Sequence, residues 1–220
     1  APQNAKPLGL VNPTKTQVFE LKRHGSNFVL GSWQCDPSQE DCPPDAEQQV
    51  CDPHGPRTKQ DQARGHSDAC DALDVIGSSK SERMVHVKDR VHWPVRPSPA
   101  YRLKREKYSV LRTTWRVMHK GSTAYTIQRT RKKQDGKAIW KVWVGRMRDG
   151  QMKYWGIQTV RDFSWTGFTF FDTQEDWEEK KPPAAVISGA SKYFTVTVRA
   201  GEDAALLLLA GWVVDEEGGL

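Results

Sequence analysis

The feature that most constrains the fold is an apolar run near the end of the chain, DAALLLLAGWVV, from Asp203 to Val214. The run is rich in strong helix formers, and Glu202 and Asp203 supply an N-cap and a favourable charge for the helix dipole. The predicted helix, residues 203–215, has no polar face, so other elements must enclose it on every side. Its apolar part would be ~16 Å long at 1.5 Å per residue, too short to cross a bilayer. We therefore predict a buried C-terminal helix and no transmembrane segment.

The segments before this helix have the pattern of short strands separated by polar turns. Residues 17–33 predict a hairpin with its turn at residues 24–27, and strand patterns resume at Arg83. The later predicted strands are 101–110, 113–118, 124–129, 138–147, 152–163, 168–171, 184–187 and 193–198. Many short strands favour a sandwich or a barrel, and a closed sheet is the natural enclosure for an apolar helix. The predicted fold is therefore mainly β, a closed antiparallel barrel around the buried C-terminal helix.

Residues 34–82 differ from the rest of the chain because they are rich in Asp, Pro, Gln, Gly and Ser, and their few apolar residues show no period. We predict a long polar insertion loop here. The predicted organisation is a flexible N-terminal segment, residues 1–16, followed by a single domain, residues 17–217, which the insertion interrupts.

All the cysteines of the chain lie in this insertion: Cys35, Cys42, Cys51 and Cys70. Four cysteines in a segment that cannot form an apolar core indicate two disulfides, which require an oxidising compartment. A zinc site is a weaker alternative because no C-x-x-C pair occurs, and free thiols are a third. Three disulfide pairings are possible. Ala1 followed by Pro2 would also suit the position after a signal-peptidase cut, so we expect a secreted protein.

The balance of charge favours an anionic partner. The chain carries 33 Lys and Arg against 27 Asp and Glu, a formal net charge of +6, which draws a protein toward nucleic acid, anionic lipid headgroups or sulfated glycans. The densest basic cluster surrounds a predicted turn at residues 134–136. It consists of Arg129, Arg131, Lys132, Lys133, Lys137 and Lys141.

Strand alternation is expected to place several of these cations on the outside of the barrel, next to one another across the hairpin. Converging cations suit a phosphorylated headgroup. The alternative is a solvated hairpin tip that keeps the sheet edge from aggregating. A second basic group alternates along one strand: Arg102 and Lys104 share one face and Arg105 and Lys107 the other. One of these two pairs must therefore point inward or lie on an edge.

The run KYFTVTVRAGEDAALLLLAGWVVDEE, residues 192–217, resembles the last strand and central helix of the LURP-one-related proteins. The run YRLKREKYSVLRTTWRVMHKGSTAYTIQRT, residues 101–130, resembles their paired opening strands, and a glycine-bearing strand at residues 155–157 and a strand ending in Asp172 also match. These proteins group with tubby C-terminal domains and phospholipid scramblases, and the similarity covers Tyr101 to Glu217. The resemblance implies a barrel of about a dozen strands around a hydrophobic helix, a fold without a superfamily-wide catalytic constellation.

Tubby domains bind phosphoinositides through basic residues on the barrel surface, so the resemblance favours a binding module for anionic, phosphorylated lipid headgroups. Such a module could act as an effector on another cell. The alternative is a small basic nuclease or nucleic-acid-binding protein, in which one histidine removes a proton and another supplies one. The candidate histidines are His24, His86, His92 and His119. The sequence contains no histidine motif of fixed spacing, no Gly-x-Ser-x-Gly and no glycine-punctuated calcium loop. We therefore predict no catalytic residue, no metal and no cofactor, and expect a monomer.

Overall fold

The computed structural model describes residues 7–24, 28–33, 71–79, 81–87, 100–109, 112–130, 133–148, 150–161, 166–190 and 193–217. Twelve strands and two helices lie in these residues. The strands are β1 Gln17–His24, β2 Phe28–Trp33, β3 Asp71–Ser79, β4 Glu82–Val87, β5 Ala100–Ser109, β6 Arg112–His119, β7 Ser122–Arg129, β8 Ile139–Val144, β9 Met152–Arg161, β10 Thr166–Phe171, β11 Ala185–Ala190 and β12 Tyr193–Val198. The helices are α1 Gln174–Glu178 and α2 Ala204–Glu216.

The strands form one antiparallel sheet in which each strand pairs with its neighbours in the chain. The first strand, β1, is hydrogen-bonded to β2 on one side and to the last strand, β12, on the other. At this last pairing Gln17 lies opposite Val198. The prediction of a mainly β antiparallel fold with a C-terminal helix is confirmed.

Helix α2 is enclosed as its composition requires. Asp203 is its N-cap and accepts a hydrogen bond from the Leu206 amide at 3.1 Å, and every residue from Ala204 to Asp215 is buried. One core cluster joins α2 to side chains from β1 and from every strand from β4 to β12. Each buried leucine contributes about 1.5–3 kcal/mol of hydrophobic stabilisation relative to exposure. Within the described residues, no helix is both long and apolar enough to cross a membrane.

The inner face of the sheet, which packs on α2, contains a glycine at a position where a side chain would clash. A Cβ atom on Gly156 would lie 2.5 Å from Phe168 Cε1 and 2.7 Å from Phe170 Cδ1. Both phenylalanine side chains are fully buried, and their ring centroids are 5.0 Å apart. Glycine is therefore the residue that lets two large rings of β10 fill the space beside β9.

The outer face carries a smaller apolar cluster that α1 covers in part. It is formed by Ile139, Trp155, Ile157 and Phe171, with Trp177 of α1 packed against it. The ring centroids of Trp155 and Trp177 are 5.4 Å apart. Trp177 thus holds the connection between β10 and β11 against the sheet.

The predicted insertion, residues 34–82, is wrong at its C-terminal end. Residues Asp71–Ser79 form β3, which pairs with both β2 and β4: Val75 lies opposite Val29 on one side and Val85 on the other. Backbone hydrogen bonds to two neighbouring strands override the weak strand propensity of a segment rich in Asp, Gly and Ser. The four cysteines lie outside the described residues, so the predicted disulfides remain a prediction.

The predicted flexible N-terminal segment, residues 1–16, does not hold for residues 8–12, which lie across the start of α2. The Leu8 side chain is buried, and its amide donates to Asp203 Oδ2 at 2.7 Å. The Gly201 amide donates to the Asn12 carbonyl at 2.7 Å, and the Ala205 amide to the Gly9 carbonyl at 3.3 Å. The first amides of a helix have no partner within it. Gly9 supplies an acceptor for one of them and Leu8 donates to the N-cap carboxylate, so this segment is bound to the start of α2.

Candidate anion-binding site

The predicted basic turn is a tight hairpin between β7 and β8. Gln134 and Lys137 exchange two backbone hydrogen bonds of 3.1 and 2.9 Å. The two central residues, Asp135 and Gly136, have φ values of 51° and 76°. Positive φ at both positions defines a type I′ turn, for which Asp-Gly is a preferred sequence. The turn therefore has the conformation that its sequence favours.

Two lysines of the predicted site lie on either side of this turn. Lys133 and Lys137 are both exposed, and their ammonium groups form no ion pair with any described residue. Their charges are therefore open to a ligand. We refer to Lys133 and Lys137 as the tip lysines. Arg131 and Lys132 lie outside the described residues.

The other two described cations of the predicted cluster do not lie together. Arg129 is opposite Trp140, a fully buried residue of the inner face. Lys141 is opposite Gln128 and Trp155, on the outer face. Arg129 and Lys141 therefore do not lie side by side, because they occupy strand positions of opposite parity. The prediction that several of the six cations lie next to one another across the hairpin stays a prediction.

The second basic group divides as alternation requires, with Arg105 pointing inward. Arg105 Nη2 forms an ion pair of 2.7 Å with Glu217, at the end of α2. The Trp115 indole N–H donates to the same carboxylate at 3.0 Å, and the Arg105 guanidinium lies 5.7 Å from the Trp115 ring centroid. Arg102, by contrast, is 64% exposed on the outer face and pairs with Glu82 at 3.0 Å.

Sequence reasoning missed a second inward arginine. Arg83 of β4 is 3% exposed and lies 3.7 Å from Glu216. The C-terminal end of α2 thus has three consecutive acidic residues, Asp215, Glu216 and Glu217, and the sheet directs two arginines toward the last two. Cations are favourable near a helix C-terminus because the helix dipole is negative there. The arginines therefore offset the dipole as well as the carboxylates.

The opposite end of α2 has a polar cluster whose groups bind one another. Arg199 Nη2 contacts Asp172 and Glu202, each at 2.6 Å. The Tyr154 hydroxyl donates to Glu202 at 2.8 Å, and burial together with this carboxylate raises the tyrosine pKa. Burial also raises the pKa of Asp203. These contacts fasten the start of α2 to the sheet.

The short helix α1 is rich in acidic residues, and one of them takes part in capping its N-terminus. Asp176 and Thr173 form a reciprocal capping box, and Lys181 Nζ contacts Asp176 at 2.8 Å. The hydrogen bond from Lys181 lowers the pKa of the Asp176 carboxyl. In the described part of the chain, no three His, Cys, Asp or Glu residues are placed to hold a metal ion.

Among the candidate histidines, His119 is the one whose side chain is described. Its ring centroid is 5.0 Å from that of Tyr101, at an interplanar angle of 40°. The side chains of His24, His86 and His92 lie outside the described set, so the predicted nuclease alternative stays a prediction.

Comparisons of the chain with protein-family models, with curated proteins and with solved structures found no match.

Proposed function

We propose that this protein is a binding module that recognises anionic, phosphorylated lipid headgroups through the tip of the β7–β8 hairpin. The observation that carries the proposal is the pair of tip lysines, both exposed and held on either side of a type I′ turn. A tight turn positions the backbone of both lysines before binding, so little backbone entropy is lost when a ligand binds. Each cation near an anionic membrane surface contributes about 1 kcal/mol of binding free energy.

We further propose that the sheet is a closed barrel of the tubby-like kind, with α2 as its central helix. Two observations support this architecture. The first strand is bonded to both the second and the last, and a helix with no polar face is buried along its whole length except at its end. On this proposal the protein is secreted and its insertion is stapled by two disulfides.

The test is sedimentation of the protein with vesicles that contain a phosphorylated inositol lipid. Replacing both tip lysines (Lys133→Ala with Lys137→Ala) should weaken binding by ~2 kcal/mol, roughly 30-fold, at low salt. Salt at 0.1 M should weaken wild-type binding, because exposed charges are screened beyond about 10 Å.

The matched control replaces two exposed lysines elsewhere, Lys104→Ala with Lys120→Ala. This control variant loses the same net charge as the tip-lysine variant. It should bind vesicles almost as well as wild type if the location of the charges matters. Equal loss in both double variants would show that only net charge counts. If the wild type ignores vesicles but degrades RNA, and His119→Ala abolishes that activity, the nuclease alternative replaces this proposal.

A further inference from the structure

Three arginines lie on the inner face of the sheet: Arg83 on β4, Arg105 on β5 and Arg129 on β7. Inner positions of a sheet are normally apolar, because a buried charge needs a partner. Arg83 and Arg105 have Glu216 and Glu217 as partners. Arg129 is half-buried, and its side chain forms no hydrogen bond or ion pair with any described residue.

Three buried hydrogen-bond donors at this end of the sheet have no partner in the described part of the chain. The Nε atoms of Arg83 and Arg105 are buried and have no hydrogen-bond partner. The indole N–H of Trp140, the fully buried residue opposite Arg129, also has none. Buried donors are normally satisfied. An oxyanion offers several strong acceptors to such donors, in addition to the carboxylates of Asp215, Glu216 and Glu217 at this end of α2.

We propose that Arg83, Arg105, Arg129 and the Trp115 indole N–H form an internal site for a phosphate group, and that Glu217 is a latch that occupies it. The Glu217 carboxylate accepts hydrogen bonds from Arg105 at 2.7 Å and from Trp115 at 3.0 Å. These are the contacts that a phosphate oxygen would make in its place. Release of the last turn of α2 would open the site, which is called the inner arginine site below.

The position of Arg129 fits this role. One strand, β6, separates β5 from β7. Two strand spacings and an offset of two residues put the Arg105 and Arg129 Cα atoms about 12 Å apart, a gap that two extended arginine side chains can close onto one phosphate. Arg129 also ends β7, immediately before the hairpin that carries the tip lysines. A headgroup held by the tip lysines is therefore at the same end of the sheet as the inner arginine site.

The ligand chemistry shared by a lipid headgroup and free phosphate is a phosphate group with two negative charges. The lipid source rests on the proposed function above, whereas the binding of inorganic phosphate does not. The decisive variant is Glu217→Gln, which removes the charge of the latch and keeps its size. Calorimetric titration of the folded variant with inorganic phosphate should give a Kd at least about fivefold lower than that of wild type. This is the low end of the coupling expected when a competing internal group is removed.

The matched control is Glu106→Gln. This substitution makes the same change of net charge and also affects an arginine partner, Arg116 at 2.9 Å, but on the outer face. Its Kd for phosphate should equal that of wild type. Adding Arg129→Gln to Glu217→Gln should return the Kd to the wild-type value, and the fold should survive because Arg129 has no described partner. If Glu217→Gln binds phosphate no more tightly than Glu106→Gln, or if the gain persists without Arg129, the inner arginine site does not exist.

A measurement on the wild type keeps the inference testable if Glu217→Gln does not fold. The Glu217 amide donates to the Val213 carbonyl at 3.2 Å, so phosphate that releases the latch should speed hydrogen exchange at this amide. An unchanged exchange rate at saturating phosphate would overturn the proposal. Vesicle binding separates the two proposals: loss on changing the tip lysines without any gain in Glu217→Gln supports the surface site alone. A gain for phosphate without vesicle binding supports the inner arginine site alone.

Discussion

Replacing Gly156 by alanine tests how tightly the inner face is packed. The new methyl carbon would lie 2.5 Å from Phe168 Cε1 and 2.7 Å from two ring atoms of Phe170. Carbon atoms in contact are normally about 3.5–4.0 Å apart, so the rings would have to move by roughly 1 Å. Both rings are fully buried, and such overpacking typically costs about 1–3 kcal/mol.

A smaller effect opposes this cost. Alanine restricts the unfolded chain more than glycine does, which stabilises the folded state by about 0.4–1 kcal/mol where the backbone conformation allows it. We therefore expect Gly156→Ala to lower the free energy of unfolding by a net ~0.5–2 kcal/mol. Urea unfolding followed by circular dichroism would measure the shift in midpoint.

A double-mutant cycle identifies the cause. Leucine at position 170 lacks the ring atoms that meet the new methyl group, so Phe170→Leu should make room for it. Gly156→Ala with Phe170→Leu should cost less than the sum of the two single variants by about 1 kcal/mol. A Gly156→Ala variant as stable as wild type, or costs that add without coupling, would refute the packing argument.

Three further predictions concern the core, the tyrosines and the cysteines. Leu208→Asp should prevent folding, since a buried unpaired charge costs several kcal/mol, whereas Leu208→Met should fold; a cooperatively melting, soluble Asp variant would contradict the burial of α2. Burial raises the pKa values of Tyr101, Tyr125 and Tyr154, so stability present below pH ~10, the ordinary tyrosine pKa, should fall as the pH rises above it; constant urea midpoints between pH 9 and 11 would contradict this. Alkylation and mass spectrometry of the unreduced protein from its native source should find no free thiol, and four alkylated cysteines would overturn the secreted assignment.

Helix α2 could be predicted almost to the residue, with residues 203–215 expected and Ala204–Glu216 observed. Its composition admits only one environment, because a helix apolar on all sides has no stable place in water. Strand β3 could not be predicted in the same way. The sequence DALDVIGSS has weak local preferences, and its conformation is set by pairing with β2 and β4. Strand β4 follows β3 directly, but β2 lies far from it in the chain.

The candidate site was predictable in part. The tip lysines follow from the Asp-Gly turn, a local signal. The alternation of the apolar residues Trp140 and Val142 on strand β8 predicts that Lys141, between them, lies on the outer face, opposite to the face of Arg129. No sequence signal identified Glu217 as the partner of Arg105. The two residues are 112 positions apart in the chain, and only the burial of α2 against the sheet brings them together.

The binding of a phosphorylated headgroup at the hairpin tip is tested most directly by titrating the wild-type protein with a water-soluble inositol phosphate and following backbone amide shifts by NMR. We expect the largest and saturable shifts at residues 133–137, on both sides of the Asp135-Gly136 turn, with added salt weakening the binding. Shifts centred on His119 and Tyr101, or no saturable shift in the hairpin, would contradict this account.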